Sequence, residues 1–159
     1  MGKYFTINEL CVSGSYPKLV TVPKAGTTEY KNLERLIGVL DQIREKWGSA
    51  IIVTSGFRNP TLNARLNGSK TSAHLKALAA DIHPKTGSIM DLAVQIAESD
   101  LEYDQLILEK VTTKNGKITD CQWLHFGLTD GKPRKQILAW DGKKYTPAKL
   151  QITKEFSLT

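Results

Sequence analysis

Tyr103-Asp104-Gln105-Leu106-Ile107-Leu108-Glu109-Lys110, then Thr113-Lys114-Asn115-Gly116-Lys117, then Trp123-Leu124-His125-Phe126-Gly127-Leu128: this stretch decides the fold class. Its first segment alternates, with Leu106 and Leu108 on one face and Ile107 and Glu109 on the other, the period of a strand. Asn115-Gly116 is the residue pair that a tight hairpin turn prefers. Trp123 to Leu128 reads as the next strand, and Gln136 to Trp140 as another. Working outward, Tyr30 to Trp47 carries Leu33, Leu36, Ile37, Leu40, Ile43 and Trp47 at spacings of three and four, an amphipathic helix closed by Gly48-Ser49. Ala50 to Thr54 reads as a buried strand, Thr61 to Leu66 as a short helix behind Pro60, and Leu78 to Ile82 as a second strand. A helix near Ile89 to Ser99 starts at Ser88, with Asp91 spaced as its cap partner. Thr6 and Glu9 mark another helix start. Residues 12 to 29 are rich in Pro, Gly, Thr and Ser and read as loop. Helices mostly precede antiparallel strands, which predicts an α+β fold: an antiparallel sheet with helices packed on one side.

The chain has 159 residues, 40% of them hydrophobic and 24% charged, so one globular domain over 1–159 is expected. No segment approaches the roughly 18–20 continuous apolar residues of a membrane span, so no membrane insertion is expected. Met1 to Thr6 lacks the apolar run of a signal peptide, and its fit to the Met-Gly-x-x-x-Ser/Thr lipidation pattern is too short to carry weight. Cys11 and Cys121 form no disulfide framework and read as buried free thiols. The net charge is +6, which favours an anionic partner such as a cell-wall polymer. The basic residues are scattered, densest at Lys132-Pro133-Arg134-Lys135 and Lys143-Lys144, with no aromatic-interleaved ladder. They read as a solvated face, and no nucleic-acid partner is expected.

The chemistry gathers in Ser72-Ala73-His74, Ala80-Asp81-Ile82 and Trp123-Leu124-His125-Phe126. These place two imidazoles and a carboxylate in segments that otherwise read as buried strand and loop. Desolvating such groups singly costs several kcal/mol. One Zn²⁺ satisfies all three and keeps a fourth position free for water, the pattern of a catalytic site. Six residues separate His74 from Asp81, too many for one helical face, so a loop ligand followed by a strand ligand is expected. Alternation sets His125 opposite Leu124 and Phe126; if those two face the core, His125 faces a cleft. Taken singly, each residue has a plainer reading, a hydrogen-bonded core histidine or a turn aspartate.

Six co-linear blocks are similar to a known family. They are Phe5-Thr6-Ile7-Asn8-Glu9-Leu10, Ser55-Gly56-Phe57-Arg58-Asn59-Pro60, Asn63, Ser72 to Ile82, Asp104 to Glu109, and Trp123-Leu124-His125. Over residues 5 to about 128 the chain resembles the zinc D,D-carboxypeptidase and D,D-dipeptidase superfamily, and within it the small peptidase domains of phages and prophages. Residues 129–159, a C-terminal strand and tail, lie outside the resemblance. The resemblance implies the hedgehog/D,D-peptidase fold, with His74, Asp81 and His125 as zinc ligands. It implies Arg58 at a substrate carboxylate or carbonyl, with Ser72 and Gln105 also at the substrate. The implied substrate is a peptidoglycan stem peptide. The implied setting is the cytoplasm until release, or a virion, with a monomer as the acting unit.

Two positions depart from the family pattern. Ala77 stands where a glycine is expected, acceptable if its φ is negative. Gln122 stands three residues before the last His, where many members carry the general base. Glu109 is then the expected base, provided its strand lies beside that of His125, and Asp120 is the reserve. These departures leave a second reading open, a zinc-containing module that binds cell wall without cutting it.

Overall fold

Thr27 opens α1 (Thr28–Trp47) by accepting the Tyr30 N–H, and Gly48 ends it in the left-handed region at φ 81°. The residues expected on its apolar stripe, Leu33, Leu36, Ile37, Leu40 and Ile43, are all buried. Asn59 caps α2 (Pro60–Arg65), and Ser88 caps α3 (Ile89–Glu98) by accepting the Asp91 N–H. Thr6 and Glu9 do bond reciprocally, but the helix they start is a single 3-10 turn, Asn8–Leu10. The structure, a computed structural model, describes residues 2–159; Met1, where the lipidation pattern begins, lies outside them. Among the described residues, no helix is long and apolar enough to cross a membrane.

The strands are β1 (Ile51–Ser55), β2 (Ala79–Pro84), β3 (Gln105–Glu109), β4 (Thr112–Lys114), β5 (Lys117–Asp120), β6 (Trp123–Gly127), β7 (Gln136–Trp140), β8 (Tyr145–Leu150) and β9 (Phe156–Leu158). They hydrogen-bond in the order β1-β2-β6-β3-β7-β8-β9-β5-β4. Each described pairing is antiparallel except β3 with β7, which is parallel. The fold is therefore α+β, as expected. Asn115 and Gly116 both take positive φ at the β4–β5 turn, the reason that pair marks a hairpin.

Register divides the sheet into two faces, because residues paired across strands project to the same side. One face holds Ala80, Ile82, Leu106, Leu108, Leu124 and Phe126, each fully buried in a single cluster with the apolar stripes of α1 and α3. The other face is the polar one. On it Asp81 pairs with His125, His125 with Ile107, and Ile107 with Leu138. The next row is Trp123, Glu109, Trp140 and Tyr145. A strand that buries one face must put its chemistry on the other, and this sheet does so row by row.

Past β7 the sheet curls. The β7–β8–β9 meander leaves the edge of β3 and returns to β5, which leads into β6 through Cys121-Gln122. Phe156, fully buried, seals the curl against Ile118 and Leu150. The C-terminal tail is thus a packed strand.

Candidate metal centre and its cleft

His74 sits in a short 3-10 helix, Ala73–Lys76, whose first turn is capped by Ser72 accepting the His74 N–H at 3.2 Å. Asp81 is central in β2, and His125 faces it from β6. Leu124 and Phe126 are fully buried against the helices, so His125 does turn to the cleft. The His74 Nδ1 lies 2.8 Å from the Gly56 carbonyl oxygen. That oxygen can only accept, so Nδ1 carries the proton and Nε2 presents a lone pair. Burial holds His74 below its ordinary pKa, keeping the ring neutral. Burial opposes ionisation of Asp81, and only positive charge beside it, on protonated imidazoles or on a cation in their place, outweighs that and holds its carboxyl below the usual range.

The geometry among these atoms fits a cation. Asp81 Oδ1 lies 3.3 Å from His74 Nε2 and 3.3 Å from His125 Nδ1. Tetrahedral zinc with bonds of about 2.0–2.1 Å sets its ligand atoms roughly 3.3 Å apart. Asp81 Oδ1 is also buried without a hydrogen-bond donor among the described residues. An orphaned anionic oxygen facing a nitrogen lone pair is costly, and a divalent cation between them removes the cost. The three residues could hold such an ion, and two of them are fixed from behind. Gly56 O orients His74. The Arg58 guanidinium lies 3.6 Å from the other carboxylate oxygen, Asp81 Oδ2.

Gly56 owes its identity to this arrangement. A Cβ there would lie 2.0 Å from the Leu10 carbonyl oxygen, because the N-terminal segment crosses close over the end of β1 and accepts the Phe57 N–H. The first block of the sequence thus holds the carbonyl that selects the His74 tautomer.

The other expected residues fall out as follows. Glu109 is buried in the same cleft, on the row next to His125. Burial pushes its carboxyl up to about 7, with the Asp81 charge adding and His125 and Arg58 opposing. Arg58 is no surface ion pair: it is mostly buried, its Nε donates to Ser55 Oγ, and its own pKa is lowered by burial. Ser72 lines the cleft, but its hydroxyl oxygen serves as the cap described above. Gln105 lines the cleft with its amide donating to Gln136 Oε1.

Asp120, the reserve base, is outside the cleft. It lines a separate pocket of about 410 Å³ with Gln122 and His83, beside the start of α3. Gln122 follows from alternation: it is one residue off the face that carries Trp123 and His125. A carboxylate there would be turned from the cleft, so its absence says nothing about catalysis.

Ala77 departs from expectation in the opposite sense. Its φ is +59°, the left-handed region that favours glycine. That conformation costs an L residue roughly 1–2 kcal/mol. The buried methyl recovers about 0.8 kcal/mol, and alanine spares the chain the larger ordering entropy of glycine, roughly 0.4–1 kcal/mol. The terms cancel, so Ala77→Gly is expected to leave the melting temperature within about 2 °C of wild type by calorimetry. A shift well beyond that in either direction would refute the balance.

Sequence reasoning passed over the wall of the cleft. Trp140 stacks on Tyr145 with centroids 6.0 Å apart and meets Trp123 edge-on at 6.5 Å, and all three line the cavity. The signal that could have found them is the same alternation that exposes His125. The whole cleft holds about 1010 Å³ and runs from this wall to the loops around Ser69 and Asp130. Arg134 pins its far end by a bidentate pair to Asp104.

A family model described as peptidase M15 matches residues 3–116. The matched stretch includes Arg58, His74, Asp81 and Glu109 and stops short of His125. No curated protein matches the chain.

Proposed function

The chain belongs to the peptidase M15 family, a family of zinc peptidases, and from that premise we propose that it hydrolyses peptide bonds of bacterial peptidoglycan. The observation that carries this reading is the orphaned Asp81 Oδ1 held at tetrahedral spacing between two imidazole nitrogens, with a protonatable Glu109 in the same cleft.

His74, Asp81 and His125 would hold the zinc. The ion, when bound, acidifies a water and polarises the scissile carbonyl. Glu109 takes a proton from the attacking water onto its carboxylate and returns it to the leaving amine nitrogen as the C–N bond breaks. Its buried position suits both halves of that exchange, since a carboxyl titrating near neutrality both accepts and donates. Arg58 braces Asp81 and offers its remaining N–H groups to a substrate carbonyl or carboxylate. Gln105 and Ser72 line the path of the peptide. The cleft lies at the upper end of the roughly 300–1,000 Å³ range of small-ligand pockets, which favours a peptide longer than a dipeptide. The acting unit is a single domain, working on the bacterial wall after release from a cytoplasm or from a virion.

The test is elemental analysis of the purified protein together with mass spectrometry of purified peptidoglycan after incubation. One zinc per chain and new free amino and carboxyl termini in the stem peptides are expected. One zinc with intact peptides would overturn the peptidase reading in favour of a wall-binding module, and no metal would overturn the ligand set.

A further inference from the structure

The net charge of the chain is unevenly placed. Residues 1–109 hold twelve Lys or Arg and twelve Asp or Glu, while residues 110–159 hold ten against four. The entire excess of +6 therefore sits on the last third, most of which lies beyond the family match at residue 116. That third is the curled part of the sheet; Arg134 and Lys154 are paired with Asp104 and Glu98, and register shows where three of the other lysines go. Lys114 pairs with Lys117, Lys117 with Ser157, and Ser157 with Lys149. The four residues form one cross-strand row over β4, β5, β9 and β8, on one side of the sheet. The three lysines are exposed, and the neighbouring row, Ile118–Phe156–Leu150, points the other way into the core.

Lys114 and Lys117 stand directly opposite, where like charges are unfavourable, and Lys149 adds a third cation one strand beyond Ser157, so an anionic partner lying on this row would relieve the repulsion. Lys117 bonds Glu155 at 3.1 Å, an exposed contact; Lys114 and Lys149 make no ion pair among the described residues. The row is also continuous with the cleft. Lys149, Pro147 and Tyr145 alternate along the exposed side of β8, and Tyr145 lines the cleft beside Glu109 and Trp140. Four residues of strand place Lys149 about 13 Å from Tyr145. Lys143 and Lys144 precede Tyr145 at the β7–β8 turn, and Lys110 lies over the Trp140 ring at 5.1 Å.

We infer that the outer face of the C-terminal sheet, from Tyr145 through Lys149 to Lys117 and Lys114, is a binding surface for an anionic, phosphodiester-bearing polymer of the bacterial cell wall. The surface would hold the enzyme on the polymer while the adjoining cleft works on the peptide. The choice of a wall polymer as occupant rests on the proposed function, because the same face leads into the proposed peptide cleft.

The experiment is co-sedimentation with purified walls, with and without acid extraction of their phosphate polymer, over a series of salt concentrations. Wild type is compared with K114E/K117E/K149E and with the milder K114Q/K117Q/K149Q. Zinc content and melting temperature report that each variant is folded. The expected result is roughly tenfold or greater loss of binding to unextracted walls by the Glu variant, an intermediate loss by the Gln variant, and a shallower salt dependence in both. Extraction should weaken wild type to the level of the variants. Equal binding by all three proteins would overturn the inference. So would duplex DNA binding as tightly as unextracted wall with the same dependence on the lysines, since the face would then be a general polyanion surface. Lysine-dependent wall binding by a protein that cuts no stem peptide would uphold the surface and sink the peptidase reading.

Discussion

Asp81→Asn is expected to lose zinc and turnover together while the fold survives. Asp81 Oδ1 faces both imidazole nitrogens, so it is the one ligand that touches the other two, and it alone brings negative charge to the set. An amide of the same shape keeps the packing of β2 but offers a neutral oxygen, or an N–H that meets the His74 lone pair head-on. Losing a residue that merely orients a ligand costs roughly 10–100-fold in metal affinity; losing the ligand's charge must cost more. Competition with a chromogenic chelator should therefore show zinc affinity down by well over ~100-fold, and wall-peptide turnover should fall to background at stoichiometric zinc. Circular dichroism should stay native. Full zinc occupancy in the variant at stoichiometric metal would mean that Asp81 is no ligand and that its pairing with Arg58 is its whole role.

Glu109→Gln is expected to do the opposite: keep zinc and lose catalysis. General acid–base catalysis contributes typically 10²–10⁴-fold, and kcat on wall peptide should fall by about that factor. The same substitution has a signature in stability. Burial raises the Glu109 carboxyl from its ordinary 4.5 to about 7 in the metal-free protein. Between those two values the folded state keeps a proton that the unfolded chain has released. More protons on the folded state mean that stability falls as pH rises through the window. A shift of this size is worth about 3 kcal/mol across it. Glutamine does not titrate, so metal-free Glu109→Gln should gain on wild type as pH goes from about 4.5 to 7.5, by roughly 5–10 °C in melting temperature. Adding zinc should shrink that gain, because a nearby dication favours the carboxylate. A difference that is flat with pH would place Glu109 in solvent and remove it as the base.

Much of the molecule was legible from short-range patterns. The stripe Leu33, Leu36, Ile37, Leu40 and Ile43 reads as a helix because its period is local, and the alternation of β3 and β6 reads as strands for the same reason. β8 and β9 were not legible. β8 carries Pro147, which lacks the N–H of an interior strand residue, although its carbonyl still accepts from Thr159. β9 is three residues long, and only long-range pairing with β5 and β8 around the buried Phe156 makes it a strand rather than a fraying end. The 3-10 turn at Asn8–Leu10 reads as a helix start because the capping pair is real; nothing local says that the helix ends after one turn.

The division at the site follows the same physics. The sequence by itself determined which residue types are available to bind metal, and that His74 and Asp81 lie on a loop and the strand after it, since both depend on neighbours along the chain. It did not determine which carboxylate lies beside His125. Asp104, Glu109 and Asp120 are all near enough in sequence. The strand register, a long-range property, buries Glu109 beside His125, ties Asp104 to Arg134 and sends Asp120 to another pocket. Nor did it determine the sign of φ at Ala77, or that Leu10 presses on Gly56 and so sets the His74 tautomer. Those facts arise where distant segments meet, and a side chain's direction and proton are set there by the partners the fold supplies.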